Sequence, residues 1–306
     1  MKIAIVGVGS MGSIYATLFA EAGHKVWAVD SWEEHVNVIN STGLRLSGIS
    51  GDRTLKGIKA VVDVLTVPPC DLYIVATKAS SVGVVAQKIA RIMPKHAMVL
   101  TIQNGLGAGD IISKYIEKAN VLLGVADGFG AQMKAPGHAH HNAMKLIRLG
   151  EIKGGQSERL SLLEETWRGA GFNARAFDDI HQLIWEKYIC NVALSGPCTI
   201  FQCTIGELLG KPEWREIAMG CLNEAYAAGC AEGIEFSFQE PEEYLEKFVN
   251  LMPDAIPSMR QDHMVRRRSE IDYINGMVPL VSKKHGLITP YNQIISAIVR
   301  QIEEGF

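Results

Sequence analysis

The chain has 306 residues, of which 47% are hydrophobic and 21% charged, so it can form the cores of about two globular domains. Its net charge of −3 gives no reason to expect a nucleic acid or an anionic membrane as a partner, and no apolar run reaches the length of a membrane span. Six cysteines without a C-x-x-C pair indicate free thiols and a cytoplasmic protein.

A strand, a glycine-rich turn, a helix and a second strand follow one another at the start of the chain. Apolar residues 3–6 predict a buried parallel strand, residues 14–22 carry the apolar stripe of a helix, and residues 26–29 predict the next strand. Between the first strand and the helix, Gly7, Gly9 and Gly12 have G-x-G-x-x-G spacing. This order of elements predicts a dinucleotide-binding unit.

Each part of this unit has a physical role in binding a dinucleotide. Gly7 permits a tight turn, Gly9 lets a pyrophosphate approach the backbone, and Gly12 lets the helix pack closely on the sheet. The first N–H groups of the helix bind phosphate, and Asp30, 18 residues after Gly12, can accept hydrogen bonds from the adenosine ribose. The predicted cofactor-binding residues of this segment are Gly7, Val8, Gly9, Ser10, Met11, Gly12 and Asp30.

The following residues alternate between predicted strands and helices, which indicates an α/β fold with a parallel, doubly wound sheet. Lys78 and Asn104 follow two of the strands. Since ligands bind beyond the carboxyl ends of such strands, both are candidate site residues, although a turn signal and a solvated lysine are the ordinary alternatives. The predicted strands are residues 43–46, 71–76, 98–102, 121–125 and 173–177, and the helices are residues 32–41, 82–93, 110–118 and 160–170.

Residues 128–155 are predicted to be irregular apart from a strand at residues 145–149. This stretch contains His138, His140 and His141. A metal site would need acidic or cysteine ligands at suitable spacing, and none is near in sequence. We therefore expect a solvated loop and no metal site.

The sequence pattern changes near Asp178: after this residue, apolar residues recur mainly with helical spacing. We predict a nucleotide-binding domain at residues 1–177 and a helical substrate domain at residues 178–306. The predicted helices of the second domain are residues 180–199, 214–232, 242–249, 258–285 and 291–304.

Lys187, Asn191 and Ser195 form one polar stripe on the first of these helices, which is otherwise apolar. A lysine on a largely buried helix needs a partner, because burying an isolated charge is costly. It could face a cleft between domains, or it could be a structural lysine paired with an acid. Ser258 begins a Ser-x-x-Gln sequence, which predicts a capping box and gives Ser258 a structural role.

Several motifs, taken together, resemble the ketopantoate reductase (2-dehydropantoate 2-reductase) family. The resemblance spans almost the whole chain and implies an N-terminal Rossmann domain, a helical C-terminal domain and an active-site cleft between them. The matching motifs are GVGSMG at residues 7–12, TKA at 77–79, QNG at 103–105, WEKYICN at 185–191, PSMRQD at 257–262, SEIDYING at 269–276 and TPYN at 289–292.

The resemblance also implies a role for individual residues. Lys187 would be the general acid, and Glu270 would be a second catalytic-site residue that helps to hold cofactor and substrate. Asn104 would contact both cofactor and substrate, and Lys78 would lie near the nicotinamide. Asn191, Ser195 and Ser258 would complete the substrate-binding residues.

The chain departs from the family pattern at Ser195, where an asparagine is common, and in Ala126–Phe129, which lacks threonine. A shorter residue at position 195 enlarges the pocket, which suits a bulkier substrate. The leading hypothesis is reduction of 2-dehydropantoate to pantoate by NAD(P)H. The alternatives are an NAD-dependent D-2-hydroxyacid dehydrogenase of the D-mandelate type, which the chain also resembles, and a non-catalytic dinucleotide sensor. The retention of Lys187 together with Glu270 argues against the sensor.

Asp30 favours NADH over NADPH, because a carboxylate binds both ribose hydroxyls and repels a 2′-phosphate. Residues 31–35 contain no arginine or lysine that would relieve this repulsion. NADP(H) is the alternative cofactor, since Lys56 or Lys59 could reach over from a distant loop. A homodimer is expected from the family resemblance alone.

Overall fold

The computed structural model describes all residues from Met1 to Phe306. The chain forms two compact units: the first contains Met1–Gln103 and Gly107–Ile180, and the second contains Asn104–Leu106 and His181–Phe306. The domain boundary predicted between residues 177 and 178 is not tested by this division into units and stays a prediction. No sequence pattern assigned the short segment Asn104–Leu106 to the helical part of the chain.

All strands lie in the first unit. They are β1 (Lys2–Val6), β2 (Lys25–Val29), β3 (Leu44–Gly48), β4 (Arg53–Leu55), β5 (Lys59–Val61), β6 (Leu72–Val75), β7 (Met98–Thr101), β8 (Val121–Asp127), β9 (Gly130–Ala135), β10 (His138–Ala143), β11 (Leu146–Glu151) and β12 (Ala174–Ala176).

Five helices accompany these strands, and seven more follow. The first five are α1 (Ser10–Glu21), α2 (Glu33–Thr42), α3 (Val82–Ile92), α4 (Ala108–Ile112) and α5 (Glu158–Gly169). The later ones are α6 (Ile180–Phe201), α7 (Ile205–Gly210), α8 (Pro212–Ala231), α9 (Pro241–Asn250), α10 (Ser258–Met264), α11 (Met277–Lys283) and α12 (Pro290–Glu303).

The larger sheet has eight strands in the order β12-β11-β8-β7-β6-β1-β2-β5. β1 pairs in parallel with both β2 and β6, and the strand order reverses at this point. In an α/β sheet such a reversal is where ligands bind, beyond the carboxyl ends of the strands. The predicted α/β class is confirmed, with one difference: β11 runs antiparallel to β8.

A second sheet, in the order β4-β3-β10-β9, packs on the other side of α1. Because α1 contacts strands of both sheets, every residue from Gly12 to Phe19 is buried. The prediction that residues 128–155 are irregular is therefore wrong over β9 and β10. Their sequences, GAQMKA and HAHHNA, lack the β-branched and aromatic residues that favour strands. β9 pairs with β10, and β10 also pairs with the distant β3, so strand pairing determines their conformation.

The histidine cluster is part of β10, and the expected solvated loop is wrong. His141 is completely buried; its Nδ1 atom lies 2.5 Å from the Ser50 hydroxyl, and its ring stacks on Phe129 with centroids 4.7 Å apart. His138 and His140 both face the hydroxyl of Ser47 at 2.9 Å. These side chains therefore have structural partners within the second sheet.

The predicted single helix over residues 258–285 is wrong. It is divided into α10, one 3₁₀ turn at Ile271–Tyr273, and α11. Arg266 has a φ of 52°, and the N–H of Ser269 donates to Oε1 of Glu303 in α12 at 2.8 Å. A tertiary hydrogen bond thus replaces a helical one, which apolar periodicity does not reveal.

The other long helices of the second unit were predicted within a few residues, but one short helix in each unit was not. α4 starts at Ala108 and ends at Ile112, earlier than predicted. α7 was missed although Thr204 and Glu207 form a complete capping box at its start. No helix of the protein combines the length and apolar character that a membrane span requires.

Candidate active site

The turn after β1 requires glycine at position 7. Gly7 has a φ of 96°, and its N–H donates to the carbonyl oxygen of Val29 at 2.8 Å. A Cβ atom here would lie 2.5 Å from the backbone nitrogen of Thr77, in the loop after β6. The two loops at the strand-order reversal are thus in close contact through their backbones, which only glycine permits.

Gly12 and Gly9 have opposite surroundings at the start of α1. A Cβ atom on Gly12 would lie 2.0 Å from the carbonyl oxygen of Gly7, so the first helical turn packs directly on the glycine turn. A Cβ atom on Gly9 would meet nothing within 4 Å. Gly9 is the N-cap of α1 and, as a glycine, has no side chain that could cap the first N–H groups. Ser10 and Met11 begin the helix. The open space beside the first N–H groups fits the pyrophosphate of a dinucleotide.

Asp30 lies half-buried at the end of β2, where its Oδ1 atom accepts a hydrogen bond from the N–H of Trp32 at 3.0 Å. No lysine or arginine forms an ion pair with it. Lys59 pairs with Trp27 in the β2–β5 register, which places it roughly 10 Å back along the strand. Lys59 and Lys56 are both exposed. The carboxylate is therefore available to a ribose at the place where this fold binds one.

The loops after β6 and β7 are joined by Gln103. Its side-chain N–H group donates to the carbonyl oxygens of Val75 at 2.7 Å and Thr77 at 3.2 Å. Lys78 follows, exposed, immediately before a 3₁₀ turn at Ala79–Ser81. Gln103 thus has a structural role in the QNG motif that the sequence interpretation did not assign.

Lys187 and Asn104, which are 83 residues apart in sequence, are in direct contact in the second unit. The Nζ atom of Lys187 donates to Oδ1 of Asn104 at 2.9 Å. Since an ammonium group only donates, the amide oxygen must face it, and the amide NH₂ group points elsewhere. That NH₂ group makes no hydrogen bond to the protein, so it can bind a ligand.

Asn104 is held by the 3₁₀ turn that follows Glu270. Gly105 has a φ of 87°, and a Cβ atom on it would lie 2.2 Å from the carbonyl oxygen of Tyr273. The same oxygen accepts a hydrogen bond from the N–H of Leu106 at 3.1 Å. Glu270 is half-buried, and its own carbonyl oxygen accepts from the N–H of Tyr273 at 3.0 Å. The QNG and SEIDYING motifs are therefore in contact.

Asn191 and Ser195 lie one and two turns beyond Lys187 on α6, as predicted. Asn191 is half-buried and Ser195 is 4% exposed. Neither side chain makes a hydrogen bond to the protein, although the Ser195 carbonyl oxygen accepts one from the Thr199 hydroxyl at 2.7 Å. Both remain free to bind a ligand.

Ser258 is the exposed first residue of α10, and its predicted capping box is wrong. Pro257 is the N-cap and makes no side-chain cap, while the Gln261 side chain donates to the carbonyl oxygen of Ile256 at 2.8 Å. No hydrogen bond joins Ser258 to the Lys187–Asn104 pair. The structural role that the sequence suggested for Ser258 is thus removed.

A buried polar network that the sequence interpretation missed holds α6 in place. Asn275 donates to the carbonyl oxygen of Val192 and to Oδ1 of Asn292, both at 2.9 Å. Asn292 donates to Glu224 at 2.7 Å, and the Tyr188 hydroxyl donates to the carbonyl oxygen of Ile274 at 2.7 Å. Asn275 and Asn292 belong to the SEIDYING and TPYN motifs, and these motifs were the sequence feature from which the network could have been found.

Burial has a direct electrostatic effect on this network. It raises the pKa of Tyr188 well above its usual value, so the hydroxyl stays protonated and remains a donor at neutral pH. Lys187 precedes Tyr188 directly on α6, so the tyrosine fixes the backbone that carries the lysine.

The glycine turn at the strand-order reversal indicates a dinucleotide-binding protein. The class is a nicotinamide dinucleotide-dependent oxidoreductase. Within that class, the chain belongs to the ketopantoate reductase PanE/ApbA family. Residues 3–154 match the family, and residues 179–303 match its C-terminal part, so the resemblance seen in the sequence is confirmed. No group of three or more His, Cys, Asp or Glu side chains is arranged to hold a metal ion.

Relatives and solved structures agree with this assignment. The 2-dehydropantoate 2-reductase of Streptococcus pyogenes serotype M1 is 30% identical over 304 residues, covering 99% of this chain and 98% of that protein. A PanE/ApbA family ketopantoate reductase from Ralstonia eutropha JMP134 superposes with a TM-score of 0.92 at 28% identity, over 100% of this chain and 99% of that one. D-mandelate dehydrogenase with NADH and anilino(oxo)acetate has a TM-score of 0.90 at 28% identity, with the same coverage.

Gly105→Ala should destabilise the second unit, because the new Cβ atom would overlap the Tyr273 carbonyl oxygen. The left-handed φ costs about 1–2 kcal/mol and the overlap about 1–3 kcal/mol more. Gly233→Ala is the matched control, since Gly233 has a φ of 82° with nothing within 4 Å. Urea unfolding should show a clearly larger loss for Gly105→Ala, and equal losses would contradict the close contact.

Proposed function

We propose that the protein reduces a 2-keto acid to a 2-hydroxy acid with NAD(P)H, and that 2-dehydropantoate is converted to pantoate. The contact between Lys187 Nζ and Asn104 Oδ1 at 2.9 Å carries this proposal. It aligns a proton donor beside a free amide NH₂ group, which suits a substrate with a carbonyl and a carboxylate. The 30% identity to 2-dehydropantoate 2-reductases supports the choice of substrate.

The reaction assigns a clear task to Lys187. When bound, the reduced nicotinamide supplies a hydride to the carbonyl carbon and is itself oxidised. Negative charge develops on the carbonyl oxygen as the hydride arrives. Lys187 stabilises this charge and donates its proton to the oxygen, so one hydride and one proton convert the carbonyl to a hydroxyl.

The remaining predicted residues take supporting roles in this proposal. The amide NH₂ group of Asn104 would bind substrate and cofactor. Asn191 and Ser258 would bind the carboxylate or hydroxyl groups of the substrate, since neither side chain has a partner in the protein. Glu270 would be the second catalytic-site residue, and Lys78 would lie near the nicotinamide.

A second candidate substrate class is favoured by Ser195. Its side chain is short, buried and without a protein partner, so it takes up less room beside Asn191 than an asparagine would. The structural neighbour D-mandelate dehydrogenase, solved with anilino(oxo)acetate, supports an aromatic 2-keto acid as the alternative. A steady-state screen of 2-dehydropantoate, phenylglyoxylate and branched 2-keto acids with NADH and NADPH tests both candidates. No turnover of any keto acid, with intact dinucleotide binding, would favour the non-catalytic sensor.

For the cofactor, we propose a preference for NADH. Asp30 accepts from Trp32 through one oxygen and keeps the other for the ribose hydroxyls. A 2′-phosphate would meet this carboxylate without a neighbouring basic residue to relieve the repulsion. The exposed Lys59 lies behind Asp30 on the neighbouring strand, which supports the same preference.

We also propose a cytoplasmic homodimer that serves pantothenate biosynthesis. Six free cysteines, five of them buried, suit a reducing compartment. Ile294, Ile298 and Ile302 are exposed at four-residue spacing along α12, a row that a two-fold axis at Ile298 would pair with itself. Light scattering of the purified protein tests the dimer.

Lys187→Ala should lower kcat about 10²-fold or more, the usual scale for losing a general acid, with a smaller effect on KM. Lys247→Ala is the matched control, because Lys247 is exposed on α9 and pairs only with Glu243 at the surface. It should keep wild-type kinetics. A Lys187→Ala enzyme with near-wild-type kcat across pH would remove the lysine from the mechanism.

Ser195→Asn should shift kcat/KM toward 2-dehydropantoate and away from phenylglyoxylate, by about tenfold in their ratio, because the larger side chain fills the pocket. Thr199→Ser, one turn further along α6, is the control and should leave the ratio unchanged. If 2-dehydropantoate is already the best substrate and its reduction is lost in Ser195→Asn, the pocket argument is wrong.

Asp30→Ala should reduce the NADH-to-NADPH ratio of kcat/KM by about tenfold or more, since a charged hydrogen bond is lost and a repulsion is removed. Lys59→Ala should not change this ratio. The measurement is kcat/KM for each cofactor at saturating keto acid. Wild-type preference for NADPH would contradict the cofactor proposal. An unchanged ratio in Asp30→Ala would show that residues other than Asp30 discriminate between NADH and NADPH.

A further inference from the structure

Trp32 lies two residues after Asp30 and is 40% exposed. Its N–H donates to Oδ1 of Asp30 at 3.0 Å, so the backbone of the tryptophan is fixed relative to the acid. One face of the indole stacks on the ring of His35, with centroids 5.2 Å apart and an interplanar angle of 15°. Because His35 is stacked on that face, a second ring could stack only on the opposite face of the indole.

His35 is completely buried and is fixed at both ring nitrogens. Nδ1 accepts a hydrogen bond from the N–H of Gly137 at 2.8 Å, so Nε2 carries the ring proton and faces the Ser13 hydroxyl at 3.4 Å. That hydroxyl donates to the carbonyl oxygen of Val8 at 2.8 Å, within the glycine turn. Burial lowers the pKa of His35, which keeps the ring neutral. The stacked pair is thus linked to the phosphate-binding turn by fixed contacts.

We propose that the adenine ring of the dinucleotide stacks on the exposed face of Trp32, an inference that takes its cofactor from the proposed function. Asp30 stands where this fold binds the adenosine ribose. Adenine is bonded to that same ribose, so it lies within about one ring width of the acid. Trp32 provides a flat apolar ring two residues from this acid, and aromatic rings stack on any base.

A purely structural role leaves part of Trp32 unexplained. As the residue before α2, it accepts a hydrogen bond from the N–H of Val36 through its carbonyl oxygen, which any residue could do. Packing on His35 accounts for one face of the ring only. A stacked base covers the other face and removes apolar surface from water. Glu33 and Glu34 follow directly, and an uncharged base is compatible with them.

The test uses ADP-ribose, which contains the adenine, the ribose and the pyrophosphate without the nicotinamide. Trp32→Ala should weaken its binding about tenfold in calorimetric titration, the scale for losing one aromatic–base stack. Trp32→Leu should behave in the same way, whereas Trp32→Phe keeps an aromatic face and should stay within about threefold of wild type. In the wild type, ADP-ribose should quench the tryptophan emission that Trp32→Phe lacks.

Trp214→Phe is the matched control, because Trp214 also stacks, on Phe201 at 4.6 Å, but lies in the second unit. It should change neither the affinity for ADP-ribose nor the quenching. The proposal is wrong if Trp32→Leu and Trp32→Ala bind ADP-ribose within about twofold of wild type, or if Trp32→Phe shows undiminished quenching. An enzyme that binds ADP-ribose in a Trp32-dependent manner yet reduces no keto acid would support this proposal and contradict the proposed function alone.

Discussion

Lys187 lies on a helix whose other residues are mostly buried, so its ammonium group needs hydrogen-bond acceptors within the protein. The contacts that provide an acceptor connect distant parts of the second unit. Asn104 provides an acceptor for Lys187, but it comes from a distant part of the chain. It is in position only because Gly105 can approach the Tyr273 carbonyl oxygen more closely than any residue with a side chain. Tyr188 and Asn275 then fix α6 through backbone carbonyl groups. The geometry of one ammonium group therefore depends on contacts among three segments of the chain.

The nucleotide-binding part of the fold could be predicted because its elements are local. Apolar runs, the three spaced glycines and an acid at the end of β2 follow one another within residues 2–30, and each has its own physical signature. β9 and β10 could not be predicted, because their residues do not favour strands and the pair joins the second sheet through β3, which lies far away in the sequence. The break after α10 was missed for the same reason, since Glu303 in α12 provides an acceptor that ends the helix.

The candidate site was predictable to a different degree for each residue. Helical spacing alone placed Lys187, Asn191 and Ser195 on one stripe. The partnership of Lys187 with Asn104 could not be derived from spacing, because 83 residues separate the two and only the fold brings them together. The family resemblance named both residues without their contact. It did not indicate that Asn275 and Asn292 support α6 from within.

Asn104–Leu106 belongs to the second unit, although the chain before and after it belongs to the first. The helical unit is therefore built from two separate stretches of the sequence. A fragment that begins at His181 would contain Lys187 and Tyr273. It would lack Asn104, which contacts Lys187, and Leu106, which donates to the Tyr273 carbonyl oxygen. Exchange of whole C-terminal halves between distant homologues would likewise separate co-adapted contacts, because three residues of the helical unit are encoded in the other half. The Lys187–Asn104 contact thus depends on residues from both parts of the chain.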